Sequence, residues 1–577
     1  MRLRLRSVTR VPTLLLSLLL LATACTTATT PSGTGPGSGQ SQARSQTPKV
    51  ITWAIQQEPT DVTSLSGLGG TRGPSSAFRQ IAHARLVRDD NTVSPVADLA
   101  SELPSPEKGT WRINPDGTMQ TIWKLRPNIK WHDGVPFTAA DLVFWYTVIR
   151  DESIPGTSLV GMEQVSSVSA PDPSTFVVNW SEPYYRADRI PEVGPIPRHI
   201  LESVYAQKDP EALLNHRYFT TEFVGLGPYR LASWSPGSEI AFARFDDYFL
   251  GRPPLDRVVL KIIPDFNTMV SNALAGTVDV ASPPGDNMEV ATDLRRRWEG
   301  TGHRVRTDPN TRIRLIYMQY RPEYAQPKAF GVTDRTVRQG LYHAIDRTAI
   351  AGAITDCLAP IADSWYSPTD PLRRDIEGSI PQYPYDVARA QRLLADAGWV
   401  RGGDGVLARP DTGERFELDV RNRPGSATER ELVVVADFWK TVGLAPTVSP
   451  GAPALVSDRV WLATYSGVQI SRLESEDAYN TRRTHSRAIA APANRWAGRN
   501  GAGYNNPVVD AIQDKLVITI DRPAQLALHR QLVQEMMGEA AIMPLFWDVE
   551  LALATRPVKG DVSAVETGWN IFTWDRE

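Results

Sequence analysis

The sequence predicts an α/β protein with at least two lobes, and two observations support this. The chain has 577 residues, whereas a single hydrophobic core stops growing near about 250–300 residues. Short segments rich in β-branched and aromatic residues alternate with helical patterns, and Gly and Pro turns separate them. This alternation is typical of mixed α/β proteins.

The N-terminus has the pattern of a targeting segment. Several arginines precede an apolar run, Leu14–Leu21, that is too short to span a bilayer comfortably. The run ends at Ala22-Thr-Ala-Cys25, and small residues before a lone cysteine resemble the lipidation signal of bacterial lipoproteins. We expect residues 1–24 to be a signal peptide and Cys25 to carry lipid. Ordinary secretion with cleavage near Ala24 is the alternative.

Residues 25–49 are predicted to be a lipidated cysteine followed by a disordered tether. After Cys25 the segment consists of Thr, Ser, Gly, Pro and Gln with almost no apolar residue, so it cannot bury a core. The other cysteine, Cys357, then has no partner for a disulfide, and we expect it to be a small buried side chain.

The folded body is predicted to begin with a strand at Val50–Ile55. Further on, Asp133-Gly134 predicts a tight turn. Thr138 and Asp141 have the spacing of a capping box at the start of a helix. His132 fits the turn better than it fits a catalytic role.

The stretch from Gly225 to Val280 predicts a run of strands followed by one helix. Its strands are expected at Tyr229–Trp234 and Arg257–Ile263, and Asn267 is placed to cap the helix. The later elements follow from apolar spacing and turn residues: a helix at Thr333–Ile354, a hairpin at Val406–Arg421, a helix at Ala427–Val442, a strand at Trp461–Ile470 and a closing strand at Ala541–Trp547.

The order of these segments resembles the solute-binding proteins of peptide-type ABC importers, the oligopeptide- and dipeptide-binding lipoproteins. The segments that carry the resemblance are Gly225–Val280, Ile129–Phe144, Val337–Arg347 and Ala541–Trp547. The resemblance implies a periplasmic-binding-protein-like fold, with two large α/β lobes around a cleft and an additional small domain, a three-domain arrangement of class C type.

The resemblance also implies domain boundaries. Lobe I would comprise residues 50–80, 190–310 and 545–577, the small second domain residues 81–189, and lobe II residues 311–544. The chain would cross between the lobes near Arg312–Tyr320 and Met543–Trp547, and these segments would act as hinges.

Several residues are predicted to contact a ligand. In the resembling family the loop after the first strand reaches the cleft, so Glu58 is expected to face a ligand amine, with a solvated loop carboxylate as the alternative. Trp365 lies in a segment that lines the cleft in the family, with core packing as its alternative. The full predicted set is Glu58, Trp365, Tyr366, Tyr465, Arg472, Glu474, Asp477 and Trp496.

The sequence departs from the family at Ser471–Ser486. Peptide-binding members place an Asp there, near an Asp-Pro pair, to hold the free amine of the ligand, and this motif is absent here. Glu474, Glu476 or Asp477 could serve in its place. Nearby arginines, Arg472 among them, could instead meet an anionic ligand, and a solvated loop is the third possibility.

Composition and motifs argue against two other functional classes, nucleic-acid-binding proteins and enzymes. The net charge of −3 gives no basic face for nucleic acid. The sequence contains no nucleophile elbow, phosphate-binding loop, HExxH or CxxC pattern. We therefore expect no catalytic residue, metal site or cofactor, and not an enzyme.

These observations predict a monomeric, extracytoplasmic lipoprotein anchored to the outer face of the cytoplasmic membrane. It would capture short peptides or a related small solute by hinge closure and deliver the ligand to an ABC permease. The alternative is an envelope regulator or sensor that uses the same fold to bind a cell-wall or lipid precursor or a membrane protein.

Overall fold

The computed structural model describes residues 47–59, 62, 74–92, 94–154, 164–189, 194–283, 288–327, 331–424, 429–474 and 483–577. Two residues of the predicted site, Cys25 and Asp477, lie outside this part of the chain. The chain divides into two units, residues 1–47 and residues 48–577. The elements below all belong to the second unit.

The strands, numbered in chain order, are β1 (Val50–Ile55), β2 (Val87–Asp89), β3 (Pro95–Ala97), β4 (Trp111–Ile113), β5 (Met119–Lys124), β6 (Val165–Asp172), β7 (Thr175–Trp180), β8 (Tyr229–Ser235), β9 (Glu239–Arg244), β10 (Arg257–Ile262), β11 (Val280–Ala281), β12 (Arg304–Met318), β13 (Val400–Arg401), β14 (Leu407–Ala408), β15 (Glu417–Asn422), β16 (Ala445–Ser449), β17 (Val468–Glu474), β18 (Ile542–Ala554), β19 (Val558–Lys559) and β20 (Asp575–Arg576).

The α-helices are α1 (Pro74–Ala82), α2 (Ala139–Ile149), α3 (Arg198–Tyr205), α4 (Pro210–Leu214), α5 (Phe266–Leu274), α6 (Met288–Trp298), α7 (Arg335–His343), α8 (Arg347–Thr355), α9 (Pro371–Ile376), α10 (Val387–Asp396), α11 (Glu429–Thr441), α12 (Arg459–Ala463), α13 (Pro507–Ile518) and α14 (Arg522–Gly538). Among the described helices, none has both the length and the apolar composition needed to cross a membrane.

The main sheet has ten strands in the order β16-β15-β17-β12-β18-β11-β1-β10-β9-β8. At one end β1 lies parallel to β10 and β11, and at the other β15 lies parallel to β16 and β17. The long antiparallel strands β12 and β18 join the two ends. We call these two strands the crossing strands, because each contributes to both ends of the sheet.

A separate four-stranded sheet has the order β4-β5-β7-β6. It falls within residues 111–180, inside the small domain that the sequence predicts. Helix α2 begins with the expected capping box, since the carboxylate of Asp141, its third residue, accepts the backbone N–H of Thr138 at 2.9 Å. The exact boundaries of the three domains remain predictions.

The buried side chains form two large cores, which fits the two-lobe prediction. One face of β1 contributes Ile51, Trp53 and Ile55 to a core shared with the four-stranded sheet. The opposite face contributes Ala54 to a second core, which extends through helices α5 to α8 and beyond. Because successive side chains of a strand point to opposite faces of the sheet, β1 contributes to both cores.

Four local predictions need correction. Asp265 rather than Asn267 caps helix α5, since its carboxylate accepts the backbone N–H of Thr268 at 2.7 Å. The helix expected at Thr333–Ile354 is two helices, because Asp346 accepts the N–H of Ala349 at 3.0 Å and caps a new helix. The segment expected as a strand at Trp461–Ile470 begins as the end of helix α12 before β17 starts. Cys357 is exposed rather than buried, since it follows the left-handed residue that ends α8.

Candidate ligand-binding cleft

A cavity of about 300 Å³ lies where the strands of one sheet end meet the crossing strands. Gln56 and Gln57 line it directly after β1, and Ser282 lines it directly after β11. Arg312 and Glu550 line it from the crossing strands. Ligands of open α/β sheets bind outside the carboxyl ends of the strands, so this is the candidate site.

The wall behind the cavity is held by a chain of hydrogen bonds. The buried indole of Trp53 donates to Ser282 Oγ at 3.0 Å, and Ser282 Oγ lies 3.1 Å from Thr567 Oγ1. Gln80 accepts the N–H of Gly568 at 2.8 Å. These groups have partners within the protein, so they form a fixed surface.

A bulge in β12 shapes the other side of the cavity. Pro309 pairs with Val549 and Ile313 pairs with Trp547, so β12 has extra residues between these two pairs. Asn310, in the bulge, is fully buried. A bulge bends a strand and redirects its side chains.

The bulge turns two donors toward one carboxylate. Asn310 Nδ2 donates to Glu550 Oε1 at 2.8 Å, and Arg312 Nη2 donates to the same oxygen. The side-chain amide oxygen of Asn310, Oδ1, accepts the backbone N–H of Arg312 at 2.6 Å. The side chain of Glu550 is 19% exposed, and both of these bonds fix its orientation.

Beneath the bulge lies a cluster of buried ion pairs. Arg314 donates to Asp548 at 2.5 Å and to both oxygens of Glu431 at 3.0 and 3.1 Å. Arg314 and Glu431 are 4% and 0% exposed. Arg472, a predicted ligand contact, pairs with Asp548 at 2.8 Å. Buried charges persist when each has partners, and this cluster supplies them.

Glu58 lies next to the cavity-lining residues, and both of its oxygens have partners in the β8–β9 hairpin. Trp234 Nε1 donates to Oε1 at 2.5 Å, and the backbone N–H of Gly237 donates to Oε2 at 3.0 Å. The side chain is half-buried. A ligand amine would have to share these oxygens, and the predicted contact stays a prediction.

Trp365 and Tyr366 are placed in the second core. Their exposures are 0% and 1%, and the Tyr366 hydroxyl lies 2.8 Å from His529 Nδ1. Burial lowers the pKa of His529 to about 3, so this histidine is neutral. The indole N–H of Trp365 is buried without a partner among the described residues.

Tyr465 is also buried, and its hydroxyl donates to the carbonyl of Met318 at 3.2 Å. The guanidinium of Arg421 lies 5.0 Å from the Tyr465 ring. Burial lowers the pKa of Arg421 to about 10. Tyr465 therefore lies beneath β12, whose last residue it contacts.

Three predicted contacts remain, of which Trp496 does not line the cavity. Trp496 is half-buried with φ +60°, and the Arg321 guanidinium lies 5.8 Å from its ring. Glu474 ends β17 and pairs there with Arg312 of β12, so its backbone lies beside the crossing. Asp477 lies outside the described residues.

The sequence prediction missed Gln56, Gln57, Ser282 and Glu550. The first three directly follow strand ends, which is a usable signal in a parallel arrangement. Glu550 is in the interior of a strand, and nothing in its sequence neighbourhood distinguishes it from an ordinary polar position.

A larger cavity of about 690 Å³ lies elsewhere, between Trp111 and Tyr185 on one side and α9 and α14 on the other. None of the described residues of β1, β11, β12 or β18 lines it. It is therefore away from the strand ends and from the crossing, and the smaller cavity is the better candidate.

Known proteins share this sequence pattern and fold. The family described as bacterial extracellular solute-binding proteins, family 5 middle, matches residues 96–482, which is more than half of the chain. The oligopeptide-binding protein AppA of Bacillus subtilis is 27% identical over 391 residues, which are 66% of this chain and 66% of that protein. The chain thus spans just under two thirds of this relative's length.

Two solved structures extend the comparison to the fold. AppA of Bacillus subtilis in complex with a nonapeptide has a TM-score of 0.65 and 22% identity, covering 92% of this chain and 100% of that one. NikA from Brucella suis in complex with Fe(III)-EDTA has a TM-score of 0.69 and 18% identity, covering 91% and 100%. These likenesses confirm the periplasmic-binding-protein-like fold.

Members of this family bind solutes outside the cytoplasm and work with the permease subunits of ABC importers. The matched family and the named relatives are binding proteins rather than enzymes. On the extent of the family match, the chain belongs to the bacterial extracellular solute-binding proteins of family 5.

Proposed function

We propose that this protein captures a short peptide or a related small solute at the crossing strands and delivers it to the permease of an ABC importer. The observation that carries the proposal is the cavity of about 300 Å³ at the carboxyl ends of β1 and β11. Ligand sites span about 300–1,000 Å³, so this volume favours a small solute over a long peptide.

Closure of the two sheet ends would complete the site. Arg312 lines the cavity from the part of β12 that pairs with β17, whereas Gln56 lines it from the opposite end of the sheet. A ligand that contacts both ends stabilises the closed state, and its differential affinity sets the shift in population.

The relatives support a solute of this kind. One of them is named an oligopeptide-binding protein, and its solved structure holds a nonapeptide. Another neighbour holds Fe(III)-EDTA, so the fold also accepts metal chelates. Of these two kinds of ligand, we favour a peptide for this chain, because AppA is similar to it in sequence as well as in fold.

The proposal includes a lipid anchor at Cys25, which would hold a monomeric protein at the outer face of the cytoplasmic membrane. The support is the arginine-rich start, the short apolar run and the small residues before Cys25. Two or more acyl chains anchor a protein firmly, whereas one chain does so only marginally.

The experiment that tests the function is mass spectrometry of the full chain taken directly from expression. Native spectra show whether a ligand remains bound, and denaturing spectra give the mass of what is released. We expect a set of masses that fit short peptides. A single chelate or other non-peptide mass, or an empty protein with no thermal shift against a di- and tripeptide library, would contradict peptide capture.

A further inference from the structure

We propose that Glu550 is the residue that selects the ligand, by accepting a positively charged N–H group such as an ammonium. The inference rests on the proposed function, since it describes how the same cavity holds its solute. It names the substrate class more narrowly: amine-bearing solutes bind, and anionic chelates do not.

The argument starts from the two oxygens of the Glu550 carboxylate. Oε1 accepts from Asn310 at 2.8 Å and from Arg312. The structure gives Oε2 no protein donor among the residues it describes, and Glu550 lines the cavity. One oxygen therefore holds the side chain in place, and we infer that the other is the atom that accepts a hydrogen bond from the ligand.

The chemistry of a carboxylate restricts what can bind there. An ionised carboxylate only accepts hydrogen bonds, so the ligand group beside Oε2 must be a donor. Bonds between a carboxylate and a charged N–H donor are shorter and about twice as strong as neutral ones. A carboxylate or phosphate of the ligand would meet like charge at this point.

The surroundings of Glu550 do not reverse this preference. Among the described residues, Arg312, Arg314 and Arg472 pair with Glu431, Asp548 and Glu550. Each of these arginines therefore has a carboxylate partner within the protein. We expect selection to depend on the short-range bond to Oε2.

The neighbouring lining fits an amine-bearing solute. The amides of Gln56 and Gln57 face the same cavity, and each amide offers both donor and acceptor atoms. They can bind the neutral polar groups of a solute whose charged end lies at Glu550. The fully buried Asn310 supports the arrangement, because Glu550 is the acceptor that the described residues offer to its Nδ2.

The test measures binding of the full chain to a mixed-sequence tripeptide library, to the same library N-acetylated, and to Fe(III)-EDTA. We expect the wild type to prefer the free-amine library by about tenfold or more, because acetylation removes the ammonium. Glu550→Gln keeps the shape of the side chain, and we expect it to weaken binding of the free-amine library roughly tenfold to a hundredfold and to abolish the preference.

Glu239→Gln is the matched control, since Glu239 begins β9 on the same sheet and does not line the cavity. It makes the same change of charge, and we expect unchanged affinities. If Glu550→Gln fails to fold, equal binding of both libraries by the wild type still overturns the role of Glu550.

The outcomes separate the two proposals. Equal binding of both libraries by the wild type, or a folded Glu550→Gln variant that keeps the preference, overturns the role of Glu550 while peptide capture stands. Binding of Fe(III)-EDTA but of neither library overturns both. A preference that Glu550→Gln removes and Glu239→Gln retains supports the inference.

Discussion

At the scale of single residues, Trp365 shows how burial and ligand contact can be told apart. Its ring is fully buried in the second core, yet its indole N–H has no partner among the described residues. A buried unpaired donor costs free energy unless something else accepts it. A ligand acceptor would explain the orientation of this side chain, and so would a core position that tolerates the cost.

Trp365→Phe separates these explanations, because it keeps an aromatic ring and removes the donor. If the indole N–H reaches the ligand, we expect affinity for the co-purified ligand to fall about tenfold, the value of one hydrogen bond of roughly 1–1.5 kcal/mol. Titration calorimetry gives the affinity. Unchanged affinity in a folded variant would return Trp365 to the core.

Trp399 provides the control for this experiment. It is 1% exposed, and its indole N–H is likewise buried without a partner in the described part of the chain. It packs on Phe416 rather than beside the Trp365 segment. Trp399→Phe should therefore leave ligand affinity unchanged, although both substitutions alter the core.

Residue roles were the hardest feature to predict from the sequence. Glu58 follows a strand as the resemblance implies, yet two protein donors bind its oxygens. Glu550 was overlooked because its role depends on a bulge in a strand more than two hundred positions away. A contact of that kind leaves no pattern in the local sequence.

At the scale of elements, a buried ion pair connects helix α11 to the crossing strand β12, and we expect it to contribute strongly to the free energy of unfolding. Both carboxylate oxygens of Glu431 on α11 accept from Arg314 on β12, at 3.1 and 3.0 Å. Both side chains are almost fully buried. Removing one partner of a buried ion pair leaves an uncompensated charge, which costs about 3–5 kcal/mol.

Glu431→Gln should therefore lower the free energy of unfolding by about 3 kcal/mol, the low end of that range because Arg314 keeps Asp548. Urea unfolding followed by tryptophan fluorescence measures it. Glu429→Gln, exposed in the first turn of the same helix, should change stability by less than about 0.5 kcal/mol. Equal losses in both variants would contradict a special role for the pair.

Element type was predicted well and element continuity less so. The apolar spacing of Val337, Leu341 and Ile345 correctly placed a helical region. It did not reveal the break after Ile345, where the spacing changes: the next position, Ala349, is exposed, and Ile350 is buried instead. Asp346 was the available signal, because an Asp before a helical run is a strong N-cap.

At the scale of the whole molecule, three buried histidines link stability to pH. Burial lowers the pKa of His83 to about 3, of His132 to about 4 and of His529 to about 3. His132 is held neutral by its bonds, since Nδ1 accepts from Gly225 and Nε2 donates to the carbonyl of Gly227. The unfolded chain binds these protons near pH 6.5.

The sign of the effect follows from the lowered pKa values. Above about pH 6.5 neither state is protonated, and stability is complete. As the pH falls from about 6.5 to 4, the unfolded state gains protons that the folded state does not, so the free energy of unfolding falls. His132 alone accounts for about 3 kcal/mol over this interval.

His132→Gln should reduce stability at pH 7.5, because it disturbs the turn at Gly225, and it should also weaken the pH dependence between pH 6.5 and 4. Urea unfolding at several pH values gives both quantities. The same pH dependence in the variant and the wild type would show that His132 does not remain neutral in the folded protein.

The anchor also concerns the whole molecule. If Cys25 carries the lipid, Cys25→Ala should move the protein from the membrane fraction to the soluble fraction or the medium. Fractionation and immunoblotting measure this. Retention in the membrane by the variant would contradict lipidation at Cys25, and Cys357→Ala, which changes the other cysteine, should have no effect.

The crossing strand β18 has a further consequence for how the chain reaches its final state. In the order of strands, β18 lies between β12 and β11, and it is made near the end of the chain. Arg304 pairs with Ala554 and Val280 also pairs with Ala554. Contacts between such distant residues form slowly, because the intervening chain must be ordered first.

Within this sheet, β18 pairs with β12 on one side and with β11 on the other, so it connects the half that contains β12 to the half that contains β1. A chain shortened before Ile542 would contain the remaining nine strands of that sheet, yet it would have no link between its halves. Each half of the sheet can acquire structure early, but the two halves are joined only once β18, the last of these ten strands in sequence, has paired with both. We therefore expect the binding cavity to form late in folding, because Glu550 is part of β18.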